Sequence, residues 1–369
     1  MDGAHGFIPT QMARRVTLLP GDGVGPEVVA AARLVLDAAG AGVEWDEQPA
    51  GQSARERMGE PVPQAAEESI RACGVALKGP MTTGGHGPGP RSANLELRRR
   101  LGLFAAVRPA RSLTGAAGAR EGVDVVVIRM NQEDLYAGVG FERGSEGAAR
   151  LAEAVREQGG PVLPPDAGLS LKFISESGAE RVSRTAFAWA AANGRRRITV
   201  VHKATVMPPT DGLFLDAARR VAAEHPSLEV DDMLLDTACH ELARHPERVD
   251  VLLAPVMYGD VLSDLAAGMV GGLGMTPCAN FGDDTAIFET VHGSAPRLAG
   301  SGRANPMAQI LAGAMLLRHI GEARAAARVE TAVAEVVREA RTLTYDIAAG
   351  SPPASTSEVA EAVAERVGS

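Results

Sequence analysis

The stretch "APVMYGDVLSDLAAGMVGG", which starts at Ala254, places Asp260 and Asp264 four residues apart in an apolar, glycine-rich setting. On a helix that spacing puts both carboxylates on one face, where two unpaired anions repel each other. Two readings are open from these residues alone: a pair of solvated surface carboxylates, or a hard divalent cation held between them. Other chemistry-bearing residues cluster as well. "GPRSANLELRRRLGLFAAVRPAR" packs Arg91, Ser92, Asn94, Arg98 and Arg108 into a short span. "VVVIRMNQEDLYAG" sets Arg129 at the end of an apolar run and Tyr136 just beyond it. "VHKATVMPPTDGLF" does the same for Lys203, and "LLDTACHEL" contributes Asp236. In a chain of net charge −9, any anion-binding site must be a local concentration of Arg and Lys of this kind.

The elements that must position these groups are legible as a pattern. "RRVTLLPGDGVGPEVVAAARLVLDAAG" reads as strand, glycine turn and helix, with Pro26 at the favoured start of the helix. "VDVVVIRM", "VDVLLAPV" and "RRRITVVHKA" are short β-branched runs, the mark of strands buried on both faces. Their alternation with alanine-rich helices predicts a mainly parallel sheet. "GSEGAARLAEAVREQGGPVLPPDAGLS" breaks the rhythm with glycine and proline and leads into "LKFIS"; an excursion such as a β-arm is expected there. From Asn305 to Gly368 the chain is expected to be largely helical, interrupted by "YDIAAGSPPASTSE".

Composition bounds the function classes. The 369 residues suggest two domains or one large α/β unit at about 150 residues per domain. Aromatics make up only 4%, so the core must be built from Ala, Val and Leu. A net charge of −9 argues against a general nucleic-acid or membrane-surface binder. Cys73, Cys239 and Cys278 are too few and too widely spaced for a zinc knuckle or a disulfide framework, which suits a reducing, cytoplasmic compartment. "MDGAHGFIPTQMARR" lacks the apolar core of a signal peptide, and no apolar run is long enough to span a membrane.

Three familiar signatures fail. "GDGVGPE" is not the dinucleotide fingerprint, because either reading frame needs glycine where Pro26 or Val28 stands. "GPMTTGGHGPG" lacks the ending of a phosphate loop. In "HELARH" the imidazoles of His240 and His245 are five residues apart, so they diverge on a helix and do not form a zinc pair.

Read together, these motifs and "ETVHGSAPRLAGSGRANP" resemble the isocitrate and isopropylmalate dehydrogenase family of β-decarboxylating dehydrogenases, from Arg15 to about Arg366. The resemblance implies an α/β fold with an open, mixed but largely parallel sheet. A large cofactor-binding domain is expected from residues 1–103 and 272–369, and a small domain from 104–271. A clasp arm for dimerisation is expected over about 138–175. It further implies Mg²⁺ or Mn²⁺ on Asp260 and Asp264, completed by Asp236 of a second copy, so that a cation offsets the paired charge. Arg98, Arg108 and Arg129 would clamp substrate carboxylates. Lys203, reaching into the other subunit's site, would handle the hydroxyl proton; neighbouring cations disfavour its ammonium form. Tyr136 would reprotonate C3 after loss of CO2. A homodimer with shared sites is the minimal active unit on this reading. A catalytically silent regulatory subunit is the contrasting reading, but this chain keeps every acid, base and metal position.

Ser92 and Asn94 offer hydrogen bonds where an isopropylmalate enzyme needs apolar contact, which favours isocitrate or a close polyanionic relative. 3-Isopropylmalate, homoisocitrate and a phosphonate analogue are the alternatives. By resemblance the adenosine end of the cofactor lies on His292, Gly293, Ser294, Ala295 and Pro296, with Asn305 near the adenine, and Thr82 and Thr83 lie near the nicotinamide. NAD enzymes usually continue with Asp after this loop; here Arg297 follows, and Tyr345 stands where NADP-dependent isocitrate dehydrogenases carry a phosphate-binding tyrosine. Ala349 and Leu298 lack two further NADP features. The balance favours NADP, with NAD as the alternative. Val256 and Met130 depart from the family's usual Asn and Glu, and the loop containing His86 is one residue longer than usual.

Overall fold

Apolar, β-branched runs punctuated by glycine set the strands. A computed structural model describes residues 15–82, 92–350 and 352–368. Among them the strands are β1 (Arg15–Leu19), β2 (Glu44–Glu47), β3 (Val75–Lys78), β4 (Ala105–Arg111), β5 (Asp124–Met130) and β6 (Gly140–Phe141). Then follow β7 (Leu169–Ser170), β8 (Arg197–His202), β9 (Glu229–Leu234), β10 (Val251–Ala254), β11 (Pro277–Phe281) and β12 (Ala286–Thr290). Ten strands form one sheet in the order β2-β1-β3-β12-β11-β4-β5-β10-β8-β9. Both flanks are parallel, as the alternation of strand and helix implies. The centre is antiparallel: β11 pairs with β12 and β4, and β4 with β5. Thus the left flank comes from the two chain ends and the right flank from the middle of the chain.

Helices cover the sheet. Gly25–Ala38 begins with Pro26 in its first turn, where the missing amide hydrogen costs nothing. Met307–His319 and Thr356–Gly368 pack on it, and Ala323–Glu339 packs on both of them. The helix Val256–Met269 lies against β5 and thereby sets Asp260 beside the strand that carries Arg129. The core is mostly Ala, Val and Leu, with Phe187, Phe214 and Phe288 as its large buried aromatics. The expected excursion is an antiparallel ribbon: Gly140 pairs with Ser170 and Phe141 with Leu169. Between its strands lies the helix Glu146–Glu157, capped by Ser145. No helix among the described residues is long and apolar enough to cross a membrane.

Candidate active site

Asp260 gathers the site. Its Oδ1 accepts from Arg108 Nη1 at 2.8 Å and from Arg129 Nη2 at 3.1 Å, and its Oδ2 accepts from the Tyr136 hydroxyl at 2.5 Å. Arg108 also donates to Ser263 Oγ, one turn along the same helix, at 2.7 Å. Both arginines are buried, at 5% and 1% exposure, on the adjacent strands β4 and β5. Burial of the Asp260 carboxyl works against its charge, but Arg129, Arg108 and the Tyr136 hydrogen bond outweigh it and hold its pKa at about 2. Burial and the nearby Arg108 charge bring Arg129 down to about 9, against the pull of Asp260. Burial, then the hydrogen bond to Asp260, lifts Tyr136 to about 12, so its phenol stays protonated at neutral pH.

Asp264 stands one turn beyond, exposed, and its side chain makes no hydrogen bond among the described residues. Burial of its carboxyl raises its pKa, Arg108 opposes this, and the Asp260 charge adds to it. A cation between the two carboxylates would relieve the part of this that comes from Asp260. The chain's own pair suits oxygen-preferring Mg²⁺ or Mn²⁺, but no group of three or more His, Cys, Asp or Glu ligands assembles among the described residues. Asp236, the third carboxylate of the sequence reading, pairs with Lys203 Nζ and is largely exposed. Among the described residues, neither makes a hydrogen bond or ion pair with the Asp260 cluster.

A second polar centre was not anticipated. Glu289 on β12 is 4% exposed; its carboxylate meets Lys78 Nζ at 2.6 Å and Arg98 Nη2 at 2.9 Å, and accepts from Asn280 Nδ2 at 2.7 Å. Asn280 in turn accepts from Asn131 at 2.8 Å. Burial disfavours the Glu289 carboxylate, yet Lys78 and Arg98 hold it well below the usual carboxylate range. Arg98 therefore sits on Glu289, not on the Asp260 cluster with Arg108 and Arg129, although its charge reaches Arg129. Asn94 lines the same hollow, and its buried Oδ1 has no hydrogen-bond partner. Ser92 is the residue before the helix Ala93–Arg100 and does not cap it.

The glycine turn and the "HGSAP" loop meet. Gly23 has φ 60°, and a Cβ there would lie 1.9 Å from the Ser294 carbonyl oxygen, so only glycine allows the approach. Val24 donates its amide to that oxygen at 2.9 Å, and the Ser294 hydroxyl lies 2.9 Å from that of Thr82. Asp22 is a buried clasp that accepts from the amides of Thr82, Gln52 and Ser53. His292 Nδ1 lies 2.9 Å from the Gly293 carbonyl oxygen. Gly293, Ala295, Pro296 and Arg297 are exposed, and Arg297 makes no ion pair among the described residues. Asn305 donates to Asp346 at 3.0 Å, next to Tyr345, and the Arg303 guanidinium stacks 4.8 Å from the Tyr345 ring centre. Thr83 lies outside the described residues, as do Arg91 and His86.

The family model for isocitrate/isopropylmalate dehydrogenase matches residues 15–363. This chain belongs to that family. It is a nicotinamide-dependent, β-decarboxylating dehydrogenase. It is 44% identical to the isocitrate/homoisocitrate dehydrogenase of Thermus thermophilus, over 96% of this chain and 98% of that protein. It is 40% identical to the probable NAD isocitrate dehydrogenase subunit alpha, mitochondrial, of Drosophila melanogaster, over 90% of this chain and 83% of that one. The crystal structure of isocitrate dehydrogenase from Methylococcus capsulatus superposes with a TM-score of 0.88 at 44% identity, covering 97% of this chain and all of that one.

Within this dehydrogenase family member, Val256 and Met130 are both buried in the packing of the Asp260 helix and β5, at 0% and 3% exposure. The Glu289 centre did leave a signal in the sequence. Lys78 closes one apolar strand and Glu289 sits near the end of another, and the parallel register sets them side by side. Two charged residues at the same level of neighbouring buried strands must pair.

Proposed function

We propose that this dehydrogenase oxidises and decarboxylates isocitrate. The Asn94 carboxamide, which lies beside Lys78, Arg98 and Glu289, carries this choice. Its amide nitrogen can donate to the third carboxylate of isocitrate, whereas an isobutyl group offers it no acceptor. Arg108 and Arg129 bind and orient the substrate carboxylates, their side chains already locked by burial. Tyr136, held protonated on Asp260, supplies the proton to C3. Lys203 takes the hydroxyl proton in the site of a second copy, with Asp236 beside it. A divalent cation on Asp260 and Asp264, completed by that Asp236, would polarise the hydroxyl and then the keto oxygen.

The same reading makes 1–103 with 272–369 the cofactor domain, 104–271 the substrate domain, and the ribbon of 138–175 a clasp on a partner. Exposed Met257 and Val261 on the Asp260 helix, with Val139, Leu171 and Phe173 at the root of the ribbon, support a covered face there. For the cofactor, Arg297 supports NADP, and Arg303 on Tyr345 supplies a cation although position 349 is alanine. The NAD designation of the fly relative supports the other assignment. The experiment is a kcat/KM panel of isocitrate, homoisocitrate, 3-isopropylmalate and a phosphonate analogue, with each cofactor, with and without chelator. Isocitrate should lead, and chelator should abolish turnover. A higher value for 3-isopropylmalate, or full activity in chelator, overturns the proposal.

A further inference from the structure

Three segments that carry site side chains meet on one ammonium outside the site itself. Lys172 follows β7 at the root of the ribbon, where Leu171 donates its amide to the Val139 carbonyl at 2.9 Å. Its Nζ pairs with Asp211 Oδ1, lies 3.8 Å from Asp134 Oδ1 and 3.3 Å from the Tyr258 hydroxyl, and sits over that ring at 4.5 Å from its centre. Both carboxylates are completely buried, at 0% exposure. Asp134 Oδ1 has no hydrogen-bond partner, so the ammonium is its compensation.

Each acidic partner holds a different part of the machinery. Asp211 Oδ2 accepts the backbone amide of Lys203 at 2.7 Å. Asp134 Oδ2 accepts the amide of Met257 at 3.2 Å, at the start of the helix that presents Asp260. Asp134 also lies two residues before Tyr136, in a left-handed conformation of φ 62° that a non-glycine residue adopts only when its surroundings enforce it. Its own amide donates to the Phe173 carbonyl, next to Lys172, at 2.9 Å. Tyr258, the third contact, lies two residues before Asp260.

We propose that Lys172 is a positioning residue: its ammonium ties the turn of Tyr136, the helix of Asp260 and the loop of Lys203 to the root of the ribbon. A cation placed between two buried carboxylates has one stable location, because moving it strands at least one of them. Seating of the ribbon therefore fixes where the proton-handling groups stand. The roles of Tyr136, Asp260 and Lys203 are those of the proposed function, on which the kinetic readout rests.

The test uses the full-length enzyme and Lys172→Met, which keeps the stem and removes the charge. Misplacement by about 1 Å costs roughly a hundredfold, so kcat should fall on that order while the substrate KM changes by less than about threefold. Hydrogen exchange should speed up in the peptides covering 133–137 and 203–211. The charge-balanced variant Lys172→Met with Asp134→Asn and Asp211→Asn should regain thermal stability and stay slow; asparagine tolerates the left-handed conformation at position 134. It also serves if the single variant fails to fold. Near-wild-type kcat in either variant overturns the proposal. If the wild type turns over none of the panel substrates, the functional reading fails instead, and unchanged exchange at 203–211 then overturns this one.

Discussion

Asp260 binds two arginines and a tyrosine that, taken singly, are ordinary surface or core residues. Its charge makes two buried guanidiniums tolerable and, after burial, helps keep the Tyr136 phenol protonated; on the proposed reading one carboxylate thus prepares both the anion clamp and the proton donor. Arg297 differs, being exposed and unpaired among the described residues. Its value lies in what reaches it. A charge-assisted hydrogen bond is worth about 1.5–3 kcal/mol, which is roughly tenfold to a hundredfold in binding. Arg297→Asp should therefore raise the KM for NADP by about that factor and leave the KM for NAD nearly unchanged. A wild-type enzyme with the better kcat/KM on NAD removes the basis for this expectation.

Glycine normally weakens a helix, yet Gly259 sits inside Val256–Met269, beside Asp260. Built there, a Cβ would lie 2.4 Å from Arg129 Cβ. The helix can approach β5 this closely only without a side chain, and that approach lets Arg129 reach the carboxylate. Gly→Ala in an unobstructed helix gains about 0.5–1 kcal/mol. Here the sign reverses: Gly259→Ala should lose about 1–3 kcal/mol to overpacking and lower kcat by displacing Asp260 from Arg129. Urea unfolding with steady-state kinetics checks both. Stabilisation with unchanged activity would show that the contact relaxes freely.

Lys203 and Asp236 pair with each other, apart from the Asp260 cluster. A whole enzyme on the proposed reading needs two copies, each lending these residues to the other. Chains carrying Lys203→Ala and Tyr136→Phe should each be nearly inactive. Co-expressed, random pairing puts half the dimers in a hybrid form with one intact site of two, so roughly a quarter of wild-type activity should return. Mixed material as inactive as its parents would mean that each chain's site is self-contained.

The α/β class, the strand that carries Arg129 near its end, the strand that stops just before Lys203, the helix bearing Asp260 and Asp264, and the helical C-terminal region were all legible in the sequence. Those features are local: hydrophobic period, proline and glycine placement, and residue type at a strand end declare them. The antiparallel centre of the sheet was not legible, because strand direction depends on which distant segments become neighbours. For the same reason the seat of Arg98 on Glu289 and the convergence of Asp134 and Asp211 on Lys172 belong to the tertiary structure alone. Each joins residues far apart in the chain, and a charge reveals its partner only when burial removes water as the alternative.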